Sequence, residues 1–232
     1  MFIKYFEHLS RILSKKQCDD IFSLVQENDG NNIIIGIDDR GGVSQNPSIK
    51  GVEINFVGNE NIVIFEYGSG KIRNSKIIIG SKNLIFIGKT KFRLEGINIV
   101  STTADECGLI IDRNFSCWKC LIQLSEKKCV QIGTNVMFGP DVEIRTSDFH
   151  AIFDENGKVI NFGKDVIIDD HVWIGTRVLL MKGAQISANS VVGAGAIVTK
   201  KFLENGCLIV GIPAKVCKNN INWTRSNPDL YS

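Results

Sequence analysis

From Ile168 the chain can be cut in sixes: IDDHVW, IGTRVL, LMKGAQ, ISANSV, VGAGAI, VTK. Every block opens on an aliphatic residue: Ile168, Ile174, Leu180, Ile186, Val192 and Val198. The fifth position is small or aliphatic: Val172, Val178, Ala184, Ser190 and Ala196. Upstream, IGTNVM and FGPDVE obey the same rule through Ile132, Val136, Phe138 and Val142. A helix repeats every ~3.6 residues and a strand every ~2, so neither alone satisfies a period of six. A coil of short strands joined by turns does, with each opening residue pointing inward and stacking on its equivalents. Such a coil cannot bury its inner face alone, so the stack must stabilise cooperatively. An ordinary β-sandwich seldom holds a six-residue register over this many blocks. Gly175, Gly193 and Gly195 are expected to permit the turns.

The rest of the chain is arranged around that stack. Residues 1–32 form a helical segment: Phe2, Phe6, Leu9, Ile12 and Leu13 recur near the helical period, followed by Ile21, Phe22 and Val25. The turn formers NDGNN at 28–32 end it. From Ile33 short runs such as NIIIGI and NIVIFEYGSG alternate with turn residues, and the beat is ragged as far as residue 130. No Ser/Gly- or Pro-rich linker divides the chain, so 33–218 reads as one coiled domain, with 219–232 as a tail. One stretch breaks the beat, SDFHAIFDENGKVINFG at 147–163, and it carries one of only three histidines. An insertion of this kind must leave the stack as a surface loop, here 149–163, and loops are where scaffolds display chemistry.

Bulk properties narrow the function. A formal charge of +2 on 232 residues argues for neither nucleic acid nor an acidic membrane as partner. No apolar run of about 18 residues predicts a transmembrane helix, and the N-terminus lacks the pattern of a signal peptide. Seven irregularly spaced cysteines do not make a disulfide framework and suit a reducing cytoplasm. The single CxxC, CWKC at Cys117–Cys120, is read as small apolar residues in a strand-rich core, with metal or redox use as the alternative. The basic amphipathic start admits peripheral contact with the inner membrane as an alternative to packing on its own domain.

VWIGTRVLLMKGAQISANSVVGAGAIVTK followed by GIPAKV resembles the hexapeptide-repeat acyltransferases over about residues 130–218. The resemblance implies an all-β fold, a left-handed parallel β-helix with a short N-terminal helical segment, assembled as a homotrimer with acetyl-CoA as donor and no metal. SDFHAIFD ahead of DDHVWIG is similar to the branch that O-acetylates bacterial surface glycans, such as polysialic acid capsule, O-antigen and exopolysaccharide; galactoside, maltose and streptogramin acetyltransferases share the general pattern. The matched positions imply Trp173 in the donor channel. They imply donor contacts at Thr176, Ala194, Thr199 and Lys200, and CoA phosphate contacts at Lys215 and Lys218. The family often has arginine at the last two positions.

Acetyl transfer to a hydroxyl requires that the hydroxyl lose its proton as it attacks the thioester carbonyl. A neutral imidazole can take that proton near neutral pH. His150, at the start of the loop, is the candidate base, ahead of His171 inside a regular block; His8 lies outside the repeat. Asp148, Asp154, Glu143 or a backbone carbonyl are the candidates to orient its second nitrogen. The expected function is direct, acetyl-CoA-dependent O-acetylation of a bacterial surface glycan or its precursor. The competing expectations are an N-acetyltransferase acting on a nucleotide-linked amino sugar, an antibiotic acetyltransferase, and a non-catalytic trimeric β-helix module. A γ-carbonic-anhydrase-like zinc site would need three histidines around one site, and His8 is badly placed to help.

Overall fold

The computed structural model describes residues 3–231, so Phe2 of the expected helical pattern lies outside them. Helix α1 spans Ile3–Ile12 and helix α2 spans Lys15–Glu27. Ser14 separates them with a capping box: its hydroxyl accepts from the Gln17 N–H, and the Gln17 side chain accepts from the Ser14 N–H at 2.9 Å. Each bond satisfies a donor that the start of α2 would otherwise leave unpaired.

After the helices the chain winds as a left-handed parallel β-helix whose coils contribute strands to three sheets. The first sheet has nine strands, from Val43–Gln45 and Ile33–Ile37 to Lys201–Phe202. The second has eight, from Val52–Phe56 to Ile197–Val198, including Ile72–Arg73 at its margin. The third has five, beginning only at Met137–Phe138 and ending at Lys215–Lys218. Among the described residues only two ladders are antiparallel: Ile33–Ile37 with Val43–Gln45, and Leu208–Val210 with Lys215–Lys218. No helix among the described residues is long and apolar enough to cross a membrane.

The strand register explains the six-residue beat. Ile168 pairs with Ile186, Ile174 with Val192 and Leu180 with Val198, each eighteen residues on, so three blocks make one coil. All six block-opening residues are buried in one core. Below residue 130 the coils are longer: Ile87 pairs with Ile111 and Ile99 with Ile122. The third sheet is absent there, so no constant coil length is imposed and the beat is ragged.

A second reason is burial on both faces. α1 and α2 cover the outside of the first sheet, where Tyr5, Leu9, Leu13 and Ile21 pack on Ile33, Ile35, Ile62, Ile64, Leu84 and Phe86. Val63, Phe65, Ile85 and Ile87 of the same strands point into the coil. Strands buried on both sides read as continuous apolar runs rather than alternating ones. Gly108 marks a close approach of α1 to the sheet: a Cβ there would stand 2.4 Å from the Tyr5 ring.

The turn glycines divide by cause. Gly195 takes a left-handed backbone (φ 71°), as expected. At Gly175 the need is space, because a Cβ would lie 2.7 Å from the Ala194 nitrogen of the next coil. Several left-handed corners are instead filled by Asn135, His171 and Asn189, one above another.

Asparagines also form a buried ladder along the first coils. Asn61 donates to Asn32 Oδ1 (2.8 Å) and Gly80 O (2.6 Å), and its own Oδ1 accepts from the Asn83 backbone (2.9 Å) and side chain (3.0 Å). Asn83 in turn accepts from the Cys107 N–H and Ser101 Oγ. An unsatisfied buried amide costs about 1–3 kcal/mol. Asn61→Ala strands both the Asn83 N–H and the Gly80 carbonyl, and is therefore expected to lose about 2–4 kcal/mol, read as a lower urea midpoint at unchanged slope.

Candidate active site

The insertion leaves the stack at the corner between the second and first sheets. Ile132 pairs with Ile168 across it, thirty-six residues apart, twice the regular coil length. One coil's worth of chain is looped out and the register resumes. The Lys164 N–H donates to Thr146 O at 2.9 Å and closes the neck. Glu126 staples both sides of the neck: one carboxylate oxygen takes the Ser147 hydroxyl and the other takes the Gly163 N–H at 2.6 Å. Burial pushes the Glu126 carboxyl up, but these hydrogen bonds and the charges of Lys182 and Lys128 outweigh it and hold the group below the usual carboxylate range.

Beyond the neck the loop folds on itself. Asn161 bridges its two arms, donating to Asp148 Oδ2 and to the His150 carbonyl, both at 2.8 Å, while its own oxygen accepts from the Ile152 N–H at 2.7 Å. Lys182, from the regular coil below, reaches Asp148 Oδ2 at 2.6 Å and also the Asn161 carbonyl. Its hydrogen bond, with that of Asn161, holds the Asp148 carboxyl below its ordinary value. Asp154 closes the far turn by accepting from the Asn156 and Lys158 N–H groups, each at 2.9 Å. Phe149 takes a left-handed backbone (φ 62°), which a bulky side chain rarely adopts, with its N–H bonded to Ser147 Oγ at 2.9 Å.

His150 follows that strained residue and is exposed. Its backbone is held by Asn161, while no side chain among the described residues hydrogen-bonds its ring. Of the expected orienting partners, Asp148 is engaged by Lys182 and Asn161, Asp154 by its own turn, and Glu143 by Arg145. His171 stands elsewhere: it fills a left-handed coil corner, bonds Asn189 at 2.9 Å through Nδ1, and stacks on Trp223 of the tail at 4.5 Å. One face of its ring is committed to packing on Trp223.

The other expected positions separate into two groups. Trp173 projects from the third sheet, 39% exposed, between Met137 and Val191 of neighbouring coils. Thr176 and Ala194 occupy equivalent positions one coil apart at the corner after that sheet, where the Gly195 N–H donates to Thr176 O at 2.8 Å. Lys215 and Lys218 lie on the exposed strand that extends the same sheet. Thr199 and Lys200 lie at the next corner, in the column that also carries Thr146, Lys182 and the insertion. That corner is opposite the third sheet in the triangular section. One protomer therefore holds His150, Thr199 and Lys200 on one side, and Trp173, Thr176, Ala194, Lys215 and Lys218 on another. Lys200, Lys215 and Lys218 have no carboxylate partner among the described residues.

Sequence reasoning passed over Glu126, Asn161 and Lys182, which shape the loop, and Trp223 of the tail. The available signals were faint: a lysine within the block LMKGAQ, and one of only three tryptophans lying outside every repeat. Cys117 and Cys120 are buried free thiols 3.9 Å apart at the start of the strand Cys117–Gln123. Their mutual hydrogen bond and burial raise the Cys120 thiol well above its usual value, the opposite of a reactive thiolate. No group of three or more His, Cys, Asp or Glu that could hold a metal occurs among the described residues.

Comparison with known proteins gives this geometry its class. The chain is 35% identical over 192 residues to a polysialic acid O-acetyltransferase of Neisseria meningitidis, spanning 82% of this chain and 87% of that protein. It is 38% identical over 91 residues to a galactoside O-acetyltransferase of Lactococcus lactis, 39% of this chain and 43% of that one. The solved structure of the polySia-specific acetyltransferase NeuO superposes with a TM-score of 0.70 at 32% identity, covering 85% of this chain and 86% of that one. The polysialic acid O-acetyltransferase OatWY superposes with a TM-score of 0.54 at 29% identity, covering 75% and 92%. No family model matches. The fold and the named relatives are those of an acyltransferase. The chain belongs to the hexapeptide-repeat acetyltransferases, with polysialic acid O-acetyltransferases among its relatives.

The Asp148–Lys182 contact predicts a pH dependence. A carboxyl whose folded value is depressed stabilises the fold above its unfolded value, about 3.9 for Asp, and loses that contribution as pH falls through the folded value. Asp148→Asn should therefore lower the urea midpoint at pH 6. The gap to the wild type should close as pH falls below about 4. A gap that stays constant down to pH 2.5 would show that the charge on Asp148 does not stabilise the fold.

Proposed function

We propose that the protein transfers acetyl from acetyl-CoA to a hydroxyl of an acidic bacterial surface glycan or its precursor, of the polysialic acid class, through a site completed between protomers of a homotrimer. The observation that carries this reading is the separation of His150 from Trp173 on opposite sides of one prism. Acetyl transfer needs base and donor within hydrogen-bond reach, and a second copy brings the two sides together. The insertion has the surface for such a contact: Ile152, Phe153, Ile160 and Phe162 are exposed together around His150.

In this mechanism the His150 imidazole accepts the acceptor hydroxyl's proton as the oxygen attacks the thioester carbonyl. The thiolate of CoA then leaves and takes up a proton, so no acyl-enzyme forms. The neck staples and Asn161 hold the His150 backbone, limiting the freedom the imidazole must lose on reaction. The indole of Trp173 excludes water from the thioester and orients the acetyl group. Thr176 and Ala194 line the neighbouring corner, and the unpaired Lys200, Lys215 and Lys218 offer charge to the CoA phosphates. Lysine in place of the family's arginine supplies point charge without the bidentate fork. The acidic-glycan acceptor rests on the relatives named for polysialic acid.

The test is acetyl transfer to polysialic acid, followed by CoA release. His150→Ala should lower kcat by about two to four decades while leaving the KM for acetyl-CoA within a few-fold. Mixing unfolded His150→Ala and Trp173→Ala chains and refolding them together should restore activity at about a quarter of the sites, the random share in which intact halves meet. No recovery on mixing would place the whole site within one protomer.

A further inference from the structure

Residues 221–225 of the tail turn back along the outside of the coil, against the chain's direction of winding. The Ile221 N–H donates to Gly206 O at 2.8 Å. Trp223 then lies flat on His171, with centroids 4.5 Å apart and planes within 10°, and its Nε1–H donates to the His171 carbonyl at 2.8 Å. Two residues on, Arg225 reaches coils much earlier in the chain. It donates to Ser116 Oγ at 2.6 Å and to the carbonyls of Val136 (3.1 Å) and Asn114 (3.3 Å), with its guanidinium 4.1 Å over the Phe92 ring. No carboxylate among the described residues pairs with it. Burial lowers its pKa without an acid to offset the cost. A cation desolvated onto carbonyl dipoles and a ring face is a committed anchor rather than a solvated surface charge.

This strap passes beside Trp173. Trp223 is only 9% exposed, and its ring centroid is 6.0 Å from that of Trp173, tilted by 44°. Trp173 itself sits on a two-residue strand with an outward side chain. An outward indole with one free side samples several staggered rotamers. The tail closes one side, since Trp223 blocks the swing toward the His171 corner, while Trp173 as a whole stays 39% exposed.

We propose that Trp223 is a positioning residue for acetyl transfer, holding the Trp173 indole at one angle to the donor, with Arg225 as the anchor that seats it. The inference rests on the donor-channel reading of Trp173. His171 then serves as the platform on which the strap lands. A displacement of about 1 Å at a reacting group can cost about a hundredfold in rate, so loss of the buttress should register in catalysis more than in folding.

The experiment uses the full chain with acetyl-CoA and polysialic acid, and compares Trp223→Ala, Trp223→Phe, Arg225→Ala and Trp173→Ala. Thermal unfolding and sedimentation are recorded for each, with CoA affinity measured by calorimetry. Trp223→Ala is expected to lower kcat/KM for acetyl-CoA by about 10- to 100-fold. Trp223→Phe, which keeps a ring in place, should recover to within about threefold, and Arg225→Ala should fall between the two. If Trp173→Ala is inactive while Trp223→Ala stays within twofold of the wild type, the positioning role is overturned and the donor-channel reading stands. If Trp173→Ala keeps wild-type kinetics, the donor-channel reading fails and takes this proposal with it. If Trp223→Ala does not fold, the phenylalanine and Arg225 variants decide: losses that follow the melting temperature alone, with unchanged kcat/KM in the folded fraction, overturn the proposal.

Discussion

The stacking of inward aliphatic residues between coils is the constraint on which everything else depends. Ile168 has a place only because Ile132 lies on one side of it and Ile186 on the other. The same parallel ladders that align these side chains satisfy the backbone between coils. No coil is stable by itself, so the repeat must persist until something ends it. At the last coil that is the antiparallel return of Lys215–Lys218 onto Leu208–Val210. At the first it is Val43–Gln45 returning onto Ile33–Ile37. Both pair an edge that would otherwise stay open to another chain.

In the regular coils the core is filled by the chain's own inward side chains. Chemistry has to be placed outside, at corners and on faces. The insertion solves the problem by adding one coil's length at a single corner, so the registers above and below are undisturbed. The strain at Phe149 and the convergence of Glu126, Asn161 and Lys182 show what it takes to hold such a loop in one shape. Each of these residues comes from a different coil or arm, so the loop is built by the stack as much as by its own sequence.

The two chain ends treat the stack differently. The N-terminal helices lie on the first sheet and extend its hydrophobic burial outward, which makes strands such as Ile62–Glu66 buried on both faces. The C-terminal strap lies at a corner and works through a few directed contacts: one indole N–H, one stacked imidazole and one guanidinium spread over carbonyls. Arg225 ties Asn114 and Val136 to a segment near the chain's end, so the strap also links coils otherwise joined only through their neighbours.

The period of six, the inward residues, the left-handed coil implied by the family resemblance and the prominence of His150 were all legible in the residue order. A repeat is a local property, and a histidine in an interruption of that repeat stands out without coordinates. The ragged half could be read only as strands and turns, since its coil length varies and its outer face is covered by helices from elsewhere in the chain. The partition of Trp173 from His150 was invisible, because neighbours in sequence lie on different faces of a prism once each coil has turned two corners. The same holds for Trp223 on His171 and Arg225 on Asn114: contacts between residues 52 and 111 positions apart arise from the stacking of coils, and no local pattern encodes them. Sequence alone determined the repeating unit and the chemical groups it carries. The tertiary structure decided which of those groups share a face, because that depends on how many corners the chain has turned between them.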